Sequence, residues 1–176
     1  YDQLIAALSE AGTLPDRIAH FWLTDDQTAP RPGSSAFDRN LEQGFWSLTW
    51  LAQALSETDI DALHLSVITT GAAQVQAEPL PHPEKALISG PVGVFARELP
   101  GVTCAQIDLP PRAMPETTGW FAKTSPAAQV DHTDRIIEEL MATPANTIAA
   151  HRADRRYEMG YKPSVLAETE GTHFRD

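Results

Sequence analysis

The chain has 176 residues, 42% of them hydrophobic and 21% charged, with 24 acidic side chains against 13 basic ones and a formal net charge of -11. Length and composition suit one folded domain with its own core rather than a disordered segment. The acidic excess argues against nucleic acid and anionic membrane surfaces as partners, since both repel it. A single cysteine, Cys104, has no partner for an intrachain disulfide and leaves too few thiolates for a Cys-based metal cluster.

No run approaches the roughly 20 apolar residues needed to cross a bilayer. Residues 1–12 are amphipathic and lack the basic leader of a secretory signal. The expected setting is cytoplasmic and reducing. The chain starts at Tyr1 rather than Met, so it is expected to be a segment of a longer multidomain polypeptide. Residues 1–176 are expected to form a single domain with a core over about 17–163.

In chain order, Leu4, Ile5 and Leu8 predict a short helix over 3–9, stopped by Gly12. Residues 17–23 read as a strand. Residues 24–36 read as a loop, by their Asp, Pro, Gly and Ser content. From Phe37 to Ser56, the residues Phe37, Leu41, Phe45, Leu48, Leu51, Ala52 and Leu55 recur at helical spacing and form one apolar stripe. Trp46 and Trp50 fall opposite that stripe. They are covered either by neighbouring loops or by another domain, exposed aromatic patches being marks of interfaces.

Residues 62–70 predict a buried strand broken by Gly71, with Gln74 to Gln76 as a short extension. Pro83-Glu84 opens a helix to about Glu98, with a kink expected at Gly90-Pro91. Lys85, Arg97 and Glu98 on that helix suggest a salt-bridged solvent face. Val102 to Leu109 is a strand and 110–125 a loop. Ser125 or Asp131 starts a helix through Ile136, Ile137, Leu140 and Met141, and Thr147–His151 with Arg156–Tyr161 form an antiparallel pair. Strands alternating with helices predict a mostly parallel sheet covered on both faces.

The chemistry such a fold usually carries is missing. The loop after the first strand holds only Gly33 and no G-x-G-x-x-G, so it lacks the glycines that bring backbone up to a pyrophosphate. Gly90-Pro-Val-Gly93 is interrupted by proline inside a helix. Tyr157 to Lys162 misses the Tyr-x-x-x-Lys spacing by one residue and lies in a hairpin. None of the six histidines pair at metal-binding helical spacing; His20 and His64 read as packing residues in strands, and Cys104 as a buried inert thiol. A Ser-His-Asp triad assembled in space would make the chain a small hydrolase, but no G-x-S-x-G elbow supports one.

Asn40 to Leu55 resembles the helix of the structural subdomain of modular type I polyketide synthase ketoreductases. The more specific match is Pro83 to Leu109, with a proline-led helix, a Gly-Pro pair, an acidic residue before a Pro-containing turn, and a strand ending Ile-Asp-Leu. Ala150-His-Arg-Ala-Asp-Arg-Arg-Tyr157 resembles the Arg-rich hairpin that precedes the catalytic half. The resemblance runs from about Arg17 to Pro163 and is loose over 110–130.

It implies a truncated Rossmann-like three-layer α/β fold with a C-terminal β-hairpin, in which this chain is the non-catalytic half. The second half of that family binds NADPH and reduces β-ketoacyl groups held on acyl carrier protein. On this reading the chain carries no catalytic, cofactor-binding or metal residues. NADPH is expected in the other half, and the partners are that catalytic half and neighbouring synthase domains, with acyl carrier protein an indirect one. Trp46 and Trp50 are the interface candidates. The alternative is a support or docking half-domain beside a methyltransferase or dehydratase, with no active reductase.

Overall fold

The computed structural model describes residues 1–24, 33–80, 82–111 and 131–165. The elements are α1 (Asp2–Glu10), β1 (Arg17–Leu23), α2 (Ser35–Leu41), a π turn (Glu42–Trp46), α3 (Ser47–Ser56), β2 (Leu63–Thr70), a 3-10 turn (Pro83–Ile88), α4 (Ser89–Glu98), β3 (Val102–Leu109), α5 (Thr133–Met141), β4 (Thr147–Arg152) and β5 (Arg155–Glu158). Among the described residues these strands form one sheet in the order β1-β2-β3-β4-β5. The first four run parallel and β4–β5 is an antiparallel hairpin. The fold expected from the alternation of elements is the one observed.

β2 is buried over all eight of its residues, as a central parallel strand covered on both faces must be. Leu63, Leu65 and Val67 point to one face, where Leu48, Leu51 and Leu55 of α3 and Val92 and Phe95 of α4 cover them. Ile68 points to the other face with Ala105, Ile107 and Ala149, under Ile136 of α5. Each of the leucine, isoleucine, valine and phenylalanine side chains contributes about 1.5–3 kcal/mol by leaving water.

The helix expected over 37–56 departs from a single stripe. Ser34 caps its N-terminus by accepting a hydrogen bond from the Phe37 N–H at 3.2 Å, so helix begins at Ser35. The π turn then inserts into the helical run and shifts its phase. Leu48, Leu51 and Leu55 are buried, whereas Phe37, Leu41 and Phe45 ahead of the shift are half-buried. The turn brings Gly44 against β1: a Cβ there would lie 2.6 Å from Leu23 Cδ1 and 3.1 Å from Ile88 Cγ2.

Other boundaries also moved. The segment expected as one helix with a kink or local break at Gly90-Pro91 is a 3-10 turn over Pro83–Ile88 followed by α-helix over Ser89–Glu98. Pro91 then sits in the first turn of α4, where a missing N–H costs no helical bond. Gln74 to Gln76 is not a strand; Glu78 Oε1 accepts from the Val75 N–H at 2.8 Å and holds a turn there. α5 starts at Thr133, and Ser125 lies outside the described residues, as do positions 25–32 of the expected loop.

Gly101 turns the chain into β3 at φ 82, and a Cβ there would lie 2.7 Å from the Asp61 carbonyl oxygen and 2.9 Å from that of Ile60. Gly101→Ala is therefore strained in conformation and in space. It is expected to cost about 2–3 kcal/mol, read as a lower urea midpoint at unchanged m-value. An unshifted midpoint would refute this account of the turn.

Candidate functional site

An open parallel sheet binds its ligands outside the carboxyl ends of the strands. Among the described residues, side chains of the chain itself meet the backbone at those ends. The Lys85 Nζ donates to the Leu23 carbonyl that ends β1 at 3.1 Å and to the Thr70 carbonyl that ends β2 at 3.2 Å. The Arg152 guanidinium donates to Asp108 O in β3 at 3.4 Å, to His151 O in β4 at 2.8 Å and to Ala73 O at 2.9 Å. It also pairs with Asp108 Oδ2 at 2.8 Å and Glu78 Oε1 at 2.8 Å. Asp108, wholly buried, further accepts from the Thr69 hydroxyl at 2.7 Å and the Ala72 N–H at 2.8 Å. This many donors satisfy the hydrogen-bonding capacity of a buried carboxyl group.

Lys85 overturns the expectation of a solvent face shared with Arg97 and Glu98. It is 1% exposed, while Arg97 and Glu98 are exposed as expected. The 3-10 turn over Pro83–Ile88 winds more tightly than an α-helix and directs Lys85 at the strand ends. Beside it the buried Glu84 accepts from Asn40 Nδ2 at 2.9 Å and lies 3.4 Å from His82 Nδ1.

The residues weighed for chemistry take structural roles. Cys104 is buried in β3 and burial pushes its thiol up to about 12, far from a reactive thiolate. His64 Nδ1 bonds Thr103 across the β2–β3 ladder at 2.8 Å. His20 of β1 meets Ser47 at 2.9 Å, and the Ser47 hydroxyl donates to the Gln43 carbonyl inside the π turn. This Ser-His pair is where a hydrolase would have to be built. However, Ser47 is wholly buried, and His20 Nδ1 has no hydrogen-bond partner among the described residues. Tyr157 lies in β5 and Lys162 beyond it, so they share no helix face. Among the described residues no group of three or more His, Cys, Asp or Glu is arranged to hold a metal, and no helix is long and apolar enough to cross a membrane.

The two interface candidates lie opposite the buried face of α3, Trp46 47% and Trp50 44% exposed. Their rings stack with centroids 6.4 Å apart. The aromatic surface extends beyond them, which the helical periodicity of one segment could not show. Trp22 of β1 stacks on Tyr1 at 6.4 Å, and Tyr1, Trp22, Glu42 and Trp50 line a shared shallow pocket.

Two solved structures share this architecture. One is described as an adenylation, ketoreductase and pseudo Asub multidomain structure of a keto acid-selecting NRPS module; it is 20% identical with a TM-score of 0.66, over 89% of this chain and 12% of that one. The other is a short chain dehydrogenase from Mycobacterium avium, 16% identical with a TM-score of 0.58, over 99% of this chain and 64% of that one. The fold is Rossmann-like. The chain spans less than two thirds of the length of either structure. Neither a known family nor a curated protein matches the sequence.

Two outcomes follow. Arg152→Ala leaves the Asp108 carboxylate buried without its cation and is expected to cost about 3–5 kcal/mol in chemical denaturation; a loss below about 1 kcal/mol would contradict the role given to the pair. Burial holds His20 and His64 below the usual histidine range, the Arg17 charge adding to the effect at His64. As pH falls the unfolded chain takes up these protons first. Stability is then full above about pH 6.5 and declines below it. The His20→Gln, His64→Gln double variant is expected to flatten that decline, measured as unfolding free energy at stepped pH.

Proposed function

We propose that these residues are the non-catalytic scaffold half of a polyketide synthase ketoreductase. They would support an NADPH-dependent catalytic half that reduces β-ketoacyl groups on acyl carrier protein. The observation that carries the reading is the closure of the β1–β4 strand ends. Where a Rossmann-like sheet accepts its cofactor, this chain has placed Lys85, Asp108 and Arg152 and satisfied them against its own backbone. Such a sheet supplies rigidity and surface rather than a nucleotide crevice.

The likeness to a module containing a ketoreductase and to a short chain dehydrogenase supports the reductase setting. The resemblance of Pro83 to Leu109 to the structural subdomain of synthase ketoreductases supports the choice of half. On this reading Trp46 and Trp50 are contact residues for the catalytic half or a neighbouring synthase domain. Their stacked, half-exposed rings offer a large apolar contact at low entropic cost.

The reading predicts no saturable NADPH binding to this chain below millimolar concentration, measured by nucleotide fluorescence or calorimetry. Micromolar affinity would overturn it. In the presence of the catalytic half, hydrogen exchange over residues 42–54 is expected to slow; unchanged exchange there would remove Trp46 and Trp50 from the interface.

A further inference from the structure

The two outer strands of the sheet differ in kind. β5 is four residues long and carries Arg155, Arg156 and Glu158, the short, charged form that keeps an exposed edge from pairing. β1 is seven residues long and carries neither lysine nor proline; its register with β2 is regular from Arg17 to His20 and shifts only between His20 and Leu23. Its one charge, Arg17, is turned away to donate to Leu140 O at 2.6 Å and Ala142 O at 3.1 Å at the end of α5. Its remaining exposed side chains are Ala19, Phe21 and Trp22, the last 53% exposed.

The backbone of that edge can be assigned from the register. Arg17 lies opposite His64, and the His64 N–H donates to Asp16 O at 2.8 Å. In a parallel ladder alternate residues face the partner strand. Asp16, Ile18 and His20 therefore face β2, and Arg17, Ala19 and the Phe21 N–H face outward. Among the described residues the Phe21 carbonyl finds partners on that side, the Thr24 hydroxyl at 2.8 Å and the Thr24 N–H at 3.2 Å.

The strand order says what would pair there. Parallel strands taken in sequence order, as β1 to β4 are, correspond to one half of a doubly wound sheet. In the order 3-2-1-4-5-6 the first strand of the sequential half abuts a parallel strand of the other half. The dehydrogenase with which this chain shares its fold has about a third of its length outside the shared part, the chain covering 64% of it.

We propose that the outer edge of β1 docks a further parallel β-strand supplied by polypeptide outside these 176 residues, extending the sheet. The inference rests on the fold and stands whether or not the reductase reading holds. The strand brings its own amides to Arg17 and Ala19, and its side chains lie beside Phe21.

Residue-resolved hydrogen exchange on the intact natural polypeptide tests it without any substitution. The outward amides of Arg17, Ala19 and Phe21 are expected to exchange within about tenfold of the β2-facing amides of Ile18 and His20. Outward amides exchanging more than about a hundredfold faster would overturn the proposal. So would protection that disappears on dilution together with a doubled mass, because the occupant would then be a second copy. Ala19→Pro removes an outward N–H and no β2-facing one, while also fixing φ at position 19 and restricting Ile18. It is expected to lower the melting temperature by about 4 °C or more in the same polypeptide and to speed exchange at Arg17 and Phe21. A silent Ala19→Pro variant would also overturn the docking edge.

Discussion

Four parallel strands end on one side of this sheet, and their last carbonyls must find donors away from bulk water. Two cations meet most of that requirement. Lys85 takes the last carbonyls of β1 and β2, Arg152 takes those of Asp108 and His151 one residue before the ends of β3 and β4, and the Gly71 N–H takes the last carbonyl of β3, that of Leu109. Asp108 and Glu78 balance the arginine. An unpaired buried carbonyl or charge costs several times what a satisfied one contributes, so the rest of the domain is arranged around keeping these two side chains in place. The 3-10 turn aims Lys85, the loop over 72–78 supplies Ala72 N–H and Glu78, and the β4–β5 hairpin delivers Arg152.

The same constraint explains why this side of the sheet has the layout of a ligand crevice and the chemistry of an interior. A nucleotide site needs backbone N–H groups free to meet phosphate, and usually glycines that let the phosphate approach. Here the side chains nearest the strand ends are engaged with the protein itself. The aromatic residues Trp22, Trp46 and Trp50 and the outer edge of β1 adjoin one another through Tyr1 and the shallow pocket it shares with Trp22 and Trp50.

The π turn ties that surface to the core. It breaks the regular phase of the helix at Glu42–Trp46, lets Gly44 close on Leu23, and leaves a carbonyl that the Ser47 hydroxyl takes up. Ser47 in turn holds His20 of β1. The strand at the open edge and the helix bearing Trp46 and Trp50 are thus coupled by one buried hydrogen bond.

The sequence by itself determined the strands Arg17–Leu23 and Val102–Leu109 to the residue, the alternation that makes the sheet parallel, the burial of Cys104 and the place of Trp46 and Trp50 opposite the buried face of α3. These follow from local periodicity and side-chain polarity. It did not determine the burial of Lys85, which spacing assigned to a solvent face, or the network of Arg152, Asp108 and Glu78, whose members are 74 and 44 positions apart. Nor did it reveal Trp22 as part of the aromatic surface. A charged residue is buried only when distant backbone and counter-charge converge on it, and an aromatic surface is continuous only when strand and helix meet. Those are properties of packing between elements, and only the tertiary structure decided them.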